Sequence, residues 1–237
     1  MKRTRMMGLA ILALLAVAAV ASASASAAGW TVCKEHAGSG KKFTTNQCNV
    51  ESGTGKFEDV ALAAGETAEL AEATKVTASV IKFKAGVIEI KCEEVTVQKG
   101  FLVGAFKNEA ASITFKKCKV VKPVNCEVTG GEIKTGELES ELNAEGTEVT
   151  FKPKAPATIF ASFKLKSVPE KTCTVAGEYK VKGSTKATIA KPAECLAEHT
   201  LTIKEEPSTT LKVGEENIEK FEQVIGVKLA SGACFDA

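Results

Sequence analysis

The chain is 237 residues long, 44% hydrophobic and 25% charged, with 31 basic and 29 acidic residues and a formal net charge of +2. That composition supports a packed core and excludes a wholly disordered chain. Without its first 27 residues the chain has 28 Lys against 29 acidic residues, no Arg and no Met, and a formal charge of −1. This excludes a basic nucleic-acid-binding surface.

Lys2, Arg3 and Arg5 give a positive start, Leu9 to Val20 is apolar, and small Ala and Ser residues follow. This is the three-part layout of a secretory signal peptide. Small residues at −3 and −1 allow cleavage after Ala23, Ala25 or Ala27, and the expected site is Ala27. The apolar run is short for a bilayer core of ~30 Å, so no membrane span is expected once the signal is removed. Cys33 is the first cysteine, too far on to carry a lipoprotein anchor. The expected location is secreted, extracellular. The expected division is a signal peptide over 1–27, an N-terminal Cys-bounded loop over 28–55 and a β-rich domain over 56–237.

Eight Cys follow: Cys33, Cys48, Cys92, Cys118, Cys126, Cys173, Cys195 and Cys234. In an exported chain an even number of cysteines reads as disulfides. The local pair Cys33 with Cys48 is expected first, because the polar, Gly-bearing loop between them cannot hold itself by packing. Closing a loop of that size contributes ~3 kcal/mol in the chain-entropy view. Cys92 and Cys118 sit in similar alternating settings and make the second expected pair. Cys126 with Cys173 and Cys195 with Cys234 then follow by elimination alone. A metal reading would start from Cys33 and His36, spaced C-x-x-H. No second such pair exists in the sequence, whereas structural zinc usually takes two. No metal and no cofactor is expected.

From Phe57 onward short alternating apolar and polar runs recur. The clearest are Val76 to Phe83, Val87 to Val97, Ile113 to Val121, Val149 to Phe151, Thr158 to Lys166, Cys173 to Lys182 and His199 to Lys204. Their Val, Ile, Thr and Phe suit a pleated, half-buried surface. Gly and Pro fall between them, with Gly86, Gly100, Gly130, Gly131, Pro153, Pro156, Pro169, Gly183, Pro192 and Pro207 read as breaks. Ile159, Ala161, Phe163 and Leu165 share one strand face by parity, and Glu137, Glu139 and Glu141 share a wet one. In the Cys92 segment the apolar parity switches between Cys92 and Val95, which predicts a bulge near Glu93 and Glu94. Helix signals are few. Thr67 to Thr74 reads as one or two helical turns, and Ile218, Phe221 and Ile225 read as a strand in preference to a helix. The expected fold is all-β, an antiparallel sandwich or barrel held by disulfides, with a β-solenoid as the alternative.

Catalytic parts are scarce. The only His are His36 and His199, and the only Asp are Asp59 and Asp236. His199 shares parity with Leu201 and Ile203, so its ring is expected at the core. It reads as a hydrogen-bonded structural residue before it reads as a general base. Ser79 and Lys82 match S-x-x-K, but that pair works on a helix, and here the segment reads as a strand. Gly38 to Lys42 falls short of a phosphate loop, because Lys42 stands where Ser or Thr is needed. The abundant Glu residues offer carboxylate pairs but alternate with Lys as solvated faces do. No catalytic residue is therefore assigned.

Several stretches resemble a paralogous group of exported Cys-containing β-rich proteins of soil actinobacteria that has no assigned activity. They are Trp30 to Cys33, Gly86 to Cys92, Ile113 to Cys118, Gly131 to Thr135, Phe151 to Pro153, Tyr179 to Gly183 and Glu198 to Leu201. The resemblance implies export and a shared β-rich fold, and it carries over no functional residue. The resulting expectation is a non-enzymatic binding or structural module of the cell envelope or extracellular space, with an envelope or extracellular ligand as partner. A secreted hydrolase using Glu or His199 is the alternative.

Overall fold

The computed structural model describes residues 29–36, 42–71, 79–83, 87–104, 107–203 and 210–237. The expected signal peptide, most of the Gly38 to Lys42 segment, Gly86, Pro207 and the first part of the Val76 run lie outside the described residues.

Three strands form a small sheet: β1 (Thr31–Glu35), β2 (Phe57–Ala61) and, at the far end of the chain, β20 (Phe235–Asp236). β1 lies between the other two, with Val32 opposite both Val60 and Phe235. The 28–55 segment, read as a Cys-bounded loop, thus carries a strand of its own.

The remaining strands build one large antiparallel array. They begin with β3 (Thr67–Leu70), β4 (Ser79–Phe83), β5 (Ile88–Cys92), β6 (Glu94–Val103), β7 (Lys107–Lys116), β8 (Lys119–Lys122) and β9 (Cys126–Val128). After one turn of 3-10 helix come β10 (Ile133–Thr135), β11 (Leu138–Leu142), β12 (Glu148–Pro153), β13 (Ile159–Ser167), β14 (Gly177–Lys182) and β15 (Thr185–Ile189). The last are β16 (His199–Ile203), β17 (Lys212–Val213), β18 (Glu216–Asn217) and β19 (Lys220–Val227).

Successive segments act as long bent strands. β10 and β11 both pair with β7. β12 pairs with β11 and β15, and β13 pairs with β10 and β14. The bends coincide with Gly136, the stretch from Lys154 to Pro156 and Gly183, where the regular ladder is interrupted; Pro153, read as a break, is the last residue of β12 and stands opposite Leu138. Along one end the order is β3, β6, β7, β11, β12, β15, β16, β19. The array then returns on itself: Leu229 bridges Leu70, and the Ala71 and Ala230 amides donate to the Lys228 and Glu69 carbonyls. At this end the return is a single bridge, so the array is a wrapped sheet structure rather than a regularly closed barrel. Every named ladder is antiparallel. That excludes the solenoid.

Apolar parity drives the wrap. Ile88, Ile90, Cys92 and Val95 are buried, while Glu93 and Glu94 between the last two are exposed. The predicted parity switch is therefore present, as the change from β5 to β6 at Glu93. In β13 a register shift between Ile159 and Ala161 brings Phe160 inward as well. Glu139 and Glu141 lie on the outer face and share Lys152 as ion-pair partner.

Two expectations are corrected. Thr67–Leu70 is not a helical turn but strand β3, because its backbone is taken up by β6 through Thr67↔Val103 and Leu70↔Gly100. Gly100 is not a break but an interior residue of β6. The Leu70 side chain lies against its Cα, so a side chain at 100 would collide with it.

All four disulfides join the expected partners: Cys33–Cys48, Cys92–Cys118, Cys126–Cys173 and Cys195–Cys234. The second and third sit in and beside the main array. The first and fourth both lie at the small sheet.

Candidate functional site

The small sheet covers one end of the wrap, and an apolar cavity of about 60 Å³ lies beneath it. Its walls come from interior positions of many strands, among them Leu102 of β6, Ile113 of β7, Val149 of β12, Ile189 of β15, Leu201 of β16 and Ile225 of β19. The roof is aromatic. Trp30, just before β1, lies 5.9 Å from the Phe235 ring of β20. Phe235 in turn lies 4.5 Å from the His199 ring of β16. β16, β20 and the residue that leads into β1 thus bring three rings together.

Polar groups in the lining are few. Ser140 of β11 is buried and lines the wall. The indole N–H of Trp30 is buried and has no hydrogen-bond partner among the described residues. His199 is only 1% exposed, and both ring nitrogens face backbone oxygens. Nε2 lies 2.6 Å from the Phe235 carbonyl and Nδ1 lies 3.2 Å from the Ala190 carbonyl. The ring is thus committed to holding β16, β20 and the end of β15 together. A general base needs a free nitrogen within reach of a nucleophile; a neutral ring donates from one nitrogen only, and here the other nitrogen faces a second main-chain carbonyl rather than a nucleophile. A void of this size with almost no polar partners does not hold water well, and dry cavities of this kind accept small apolar molecules.

A second cluster lies at the small sheet itself. Cys33 stands opposite Asp59 of β2, and its amide donates to the Cys234 carbonyl at 3.0 Å. The Sγ atoms of Cys33, Cys48 and Cys234 and a carboxylate oxygen of Asp59 all lie within 4.8 Å of one another. Cys195 Sγ is 3.4 Å from Asp59 Oδ1. The sulfurs are oxidised in two separate disulfides, which removes the thiolates that a metal would need. Burial raises the Asp59 carboxyl above its usual range, and Lys42 acts against this. Burial also raises Asp236. A hydrogen bond with Thr31 opposes that shift, the Asp59 charge adds to it, and His199 acts against it.

The other sequence candidates are dispersed. His36 lies 3.6 Å from Glu58 at the surface, and its C-x-x-H partner Cys33 is bonded to Cys48. Ser79 and Lys82 lie in strand β4, where the helical neighbour relation of S-x-x-K does not exist. The alternation that places His199 at the core was legible. The meeting of Trp30, His199 and Phe235 was not, and neither was the approach of two disulfides, because both depend on β1 pairing with β20.

Comparison with protein-family models, with curated proteins and with solved structures gives no match to this chain. No helix among the described residues is long and apolar enough to cross a membrane.

Proposed function

We propose that the chain is an exported binding module that acts outside the cytoplasmic membrane and holds a small apolar ligand in the cavity beneath its cap. The observation that carries this reading is the cavity itself. It is walled by aliphatic side chains from many strands and roofed by Trp30 and Phe235. Besides the His199 ring, its polar equipment is one hydroxyl, from Ser140, and the Trp30 indole N–H, which has no partner among the described residues. That combination suits an apolar molecule carrying at most one or two hydrogen-bonding groups. Export is supported by the leader-like first 27 residues, by four disulfides and by the resemblance to exported actinobacterial proteins.

The chain carries its own reporter, because Trp30 is its only Trp. Titration of the oxidised protein, residues 28–237, with xenon, an apolar atom small enough for a cavity of about 60 Å³, should give a saturable change in Trp30 emission. Ser140→Leu, which fills the cavity from its wall, should abolish that change while far-UV circular dichroism stays the same. A change that fails to saturate, or that survives in Ser140→Leu, rejects the cavity as the binding site. Intact-mass measurement on exported protein tests the location, with loss of residues 1–27 expected.

A further inference from the structure

Two disulfides that share no residue meet at the small sheet, and the sequence gives no reason for them to do so. Val32 stands opposite Phe235, so the next rung of the same antiparallel ladder sets Cys33 opposite Cys234. The hydrogen bond from the Cys33 amide to the Cys234 carbonyl is that rung. Opposite residues of this kind have Cα atoms about 5.5 Å apart, which is within the span that a disulfide bridges. Cys234 is nevertheless bonded to Cys195, and Cys33 to Cys48. The Cys234 sulfur thus lies next to a disulfide to which it does not belong, within 4.8 Å of both its sulfurs. Access to the four sulfurs is unequal. Cys234 is fully buried, Cys33 and Cys48 are nearly so, and Cys195 is half-buried.

We propose that Cys33–Cys48 and Cys195–Cys234 form a thiol-exchange site, in which an external thiol entering at Cys195 moves the oxidised bond onto Cys33 and Cys234 and releases the Cys48 thiol. Disulfides exchange by thiolate attack on sulfur through a mixed disulfide, and access decides which sulfur is attacked. The entering thiolate attacks Cys195 Sγ. The bond to Cys234 breaks, its electron pair leaves on Cys234 Sγ, and a mixed disulfide remains on Cys195. The Cys234 thiolate then attacks Cys33 Sγ across the strand pair. The Cys33–Cys48 bond breaks, the Cys48 sulfur takes the electron pair, and it gains the proton that the entering thiol gave up. One thiol is consumed, one is released, and the number of disulfide bonds is unchanged. Asp59, within 4.8 Å of the Cys33, Cys48 and Cys234 sulfurs and in contact with Cys195, is placed to carry that proton. Its raised proton affinity from burial suits the task. The substrate class is a small, exposed thiol. The proposal is independent of the apolar-ligand reading, because it concerns the sulfurs of the small sheet and not the cavity.

The test starts from Cys195→Ser, which leaves Cys234 as a thiol beside an intact partner disulfide. The variant is held at about pH 8.5, near the thiol pKa, then alkylated, digested without reduction and mapped. The expected result is label on both Cys48 and Cys234, in a ratio within about ten-fold of one, with a Cys33–Cys234 cross-linked peptide present. The Cys92–Cys118 and Cys126–Cys173 peptides should persist, which reports a folded chain. Label confined to Cys234, or appearing at Cys33 in place of Cys48, overturns the proposal, and so does label spread over Cys92, Cys118, Cys126 and Cys173. The unmutated chain gives a second measurement that does not depend on how the variant folds. One equivalent of reduced glutathione should place glutathione on Cys195 and yield the same Cys33–Cys234 peptide, and glutathione found on another cysteine with no such peptide overturns the proposal equally.

Discussion

The ring of His199 lies 4.5 Å from the ring of Phe235, and its Nε2 reaches the Phe235 carbonyl oxygen at 2.6 Å. One side chain of the main array thus holds both the side chain and the main chain of the cap's last strand. Nδ1 reaches the Ala190 carbonyl beyond β15. His199→Ala removes these contacts and enlarges the cavity, while the Phe235 carbonyl keeps the Leu196 amide as its donor. The expected loss is roughly 2–4 kcal/mol. Urea unfolding of the oxidised chain should show a lower midpoint with an unchanged slope. An unaltered midpoint would remove His199 from the structural role assigned to it.

What was legible in the sequence follows from how far each signal reaches along the chain. Alternation is local, so Ile88, Ile90 and Cys92, and likewise Ala161, Phe163 and Leu165, were placed correctly on buried faces. The helical reading fails over Thr67–Leu70, because helix propensity is weak beside the ladder that β6 offers there; residues 72–74 lie outside the described residues. Cys33–Cys48 and Cys92–Cys118 are legible from local spacing and matching flanks. The other two were reached only by elimination, because their partners are brought together by the fold. Val32 opposite Phe235 is a contact between the two ends of the chain, and no local pattern announces it. The cavity was unreadable for a different reason, since it is space that interior side chains fail to fill, and that depends on every strand at once.

Asp236 predicts a pH dependence. Burial holds its carboxyl above the usual value, with a hydrogen bond from Thr31 acting the other way. The folded chain therefore binds this proton more tightly than the unfolded chain does. The stability it contributes is complete below the unfolded pKa and is lost as pH rises through the folded one. Asp236→Asn keeps an acceptor for Thr31 and removes the charge. Its Tm should exceed that of the parent at pH 7, and the difference should shrink toward zero by about pH 3. A gain that grows on acidification would contradict the assignment.

Gly183 marks the bend between β14 and β15. Its φ is +102°, and a Cβ there would meet the Thr210 carbonyl. The same turn is held by the Ser184 amide, which donates to Thr210 Oγ1 at 3.0 Å. The bend lets one long strand pair with β13 at one end and β12 at the other. Gly183→Ala combines left-handed backbone strain with a main-chain collision, for an expected cost of about 2–3 kcal/mol. Thermal unfolding should show a Tm several degrees lower, with the far-UV spectrum retained.

The disulfides allow a test of what they constrain. Cys126–Cys173 closes a separation of 47 residues and Cys33–Cys48 one of 15. If each acts only by restricting the unfolded chain, removal should cost about 4 and about 3 kcal/mol respectively. Cys126 begins β9, which pairs with β13 through Ser167↔Cys126 and Leu165↔Val128. That short strand keeps its ladder without the sulfur bridge, so the native state should change little. Cys48 has less support, because it stands in a turn at φ +43° with the Thr45 carbonyl as its amide's partner. Replacing both members of each pair by Ala and comparing urea midpoints separates the two effects. The larger loss is expected for Cys126–Cys173 if chain entropy dominates. The reverse order would mean that the bridge at the cap holds native packing around Trp30 and Phe235 in addition to shortening the unfolded chain.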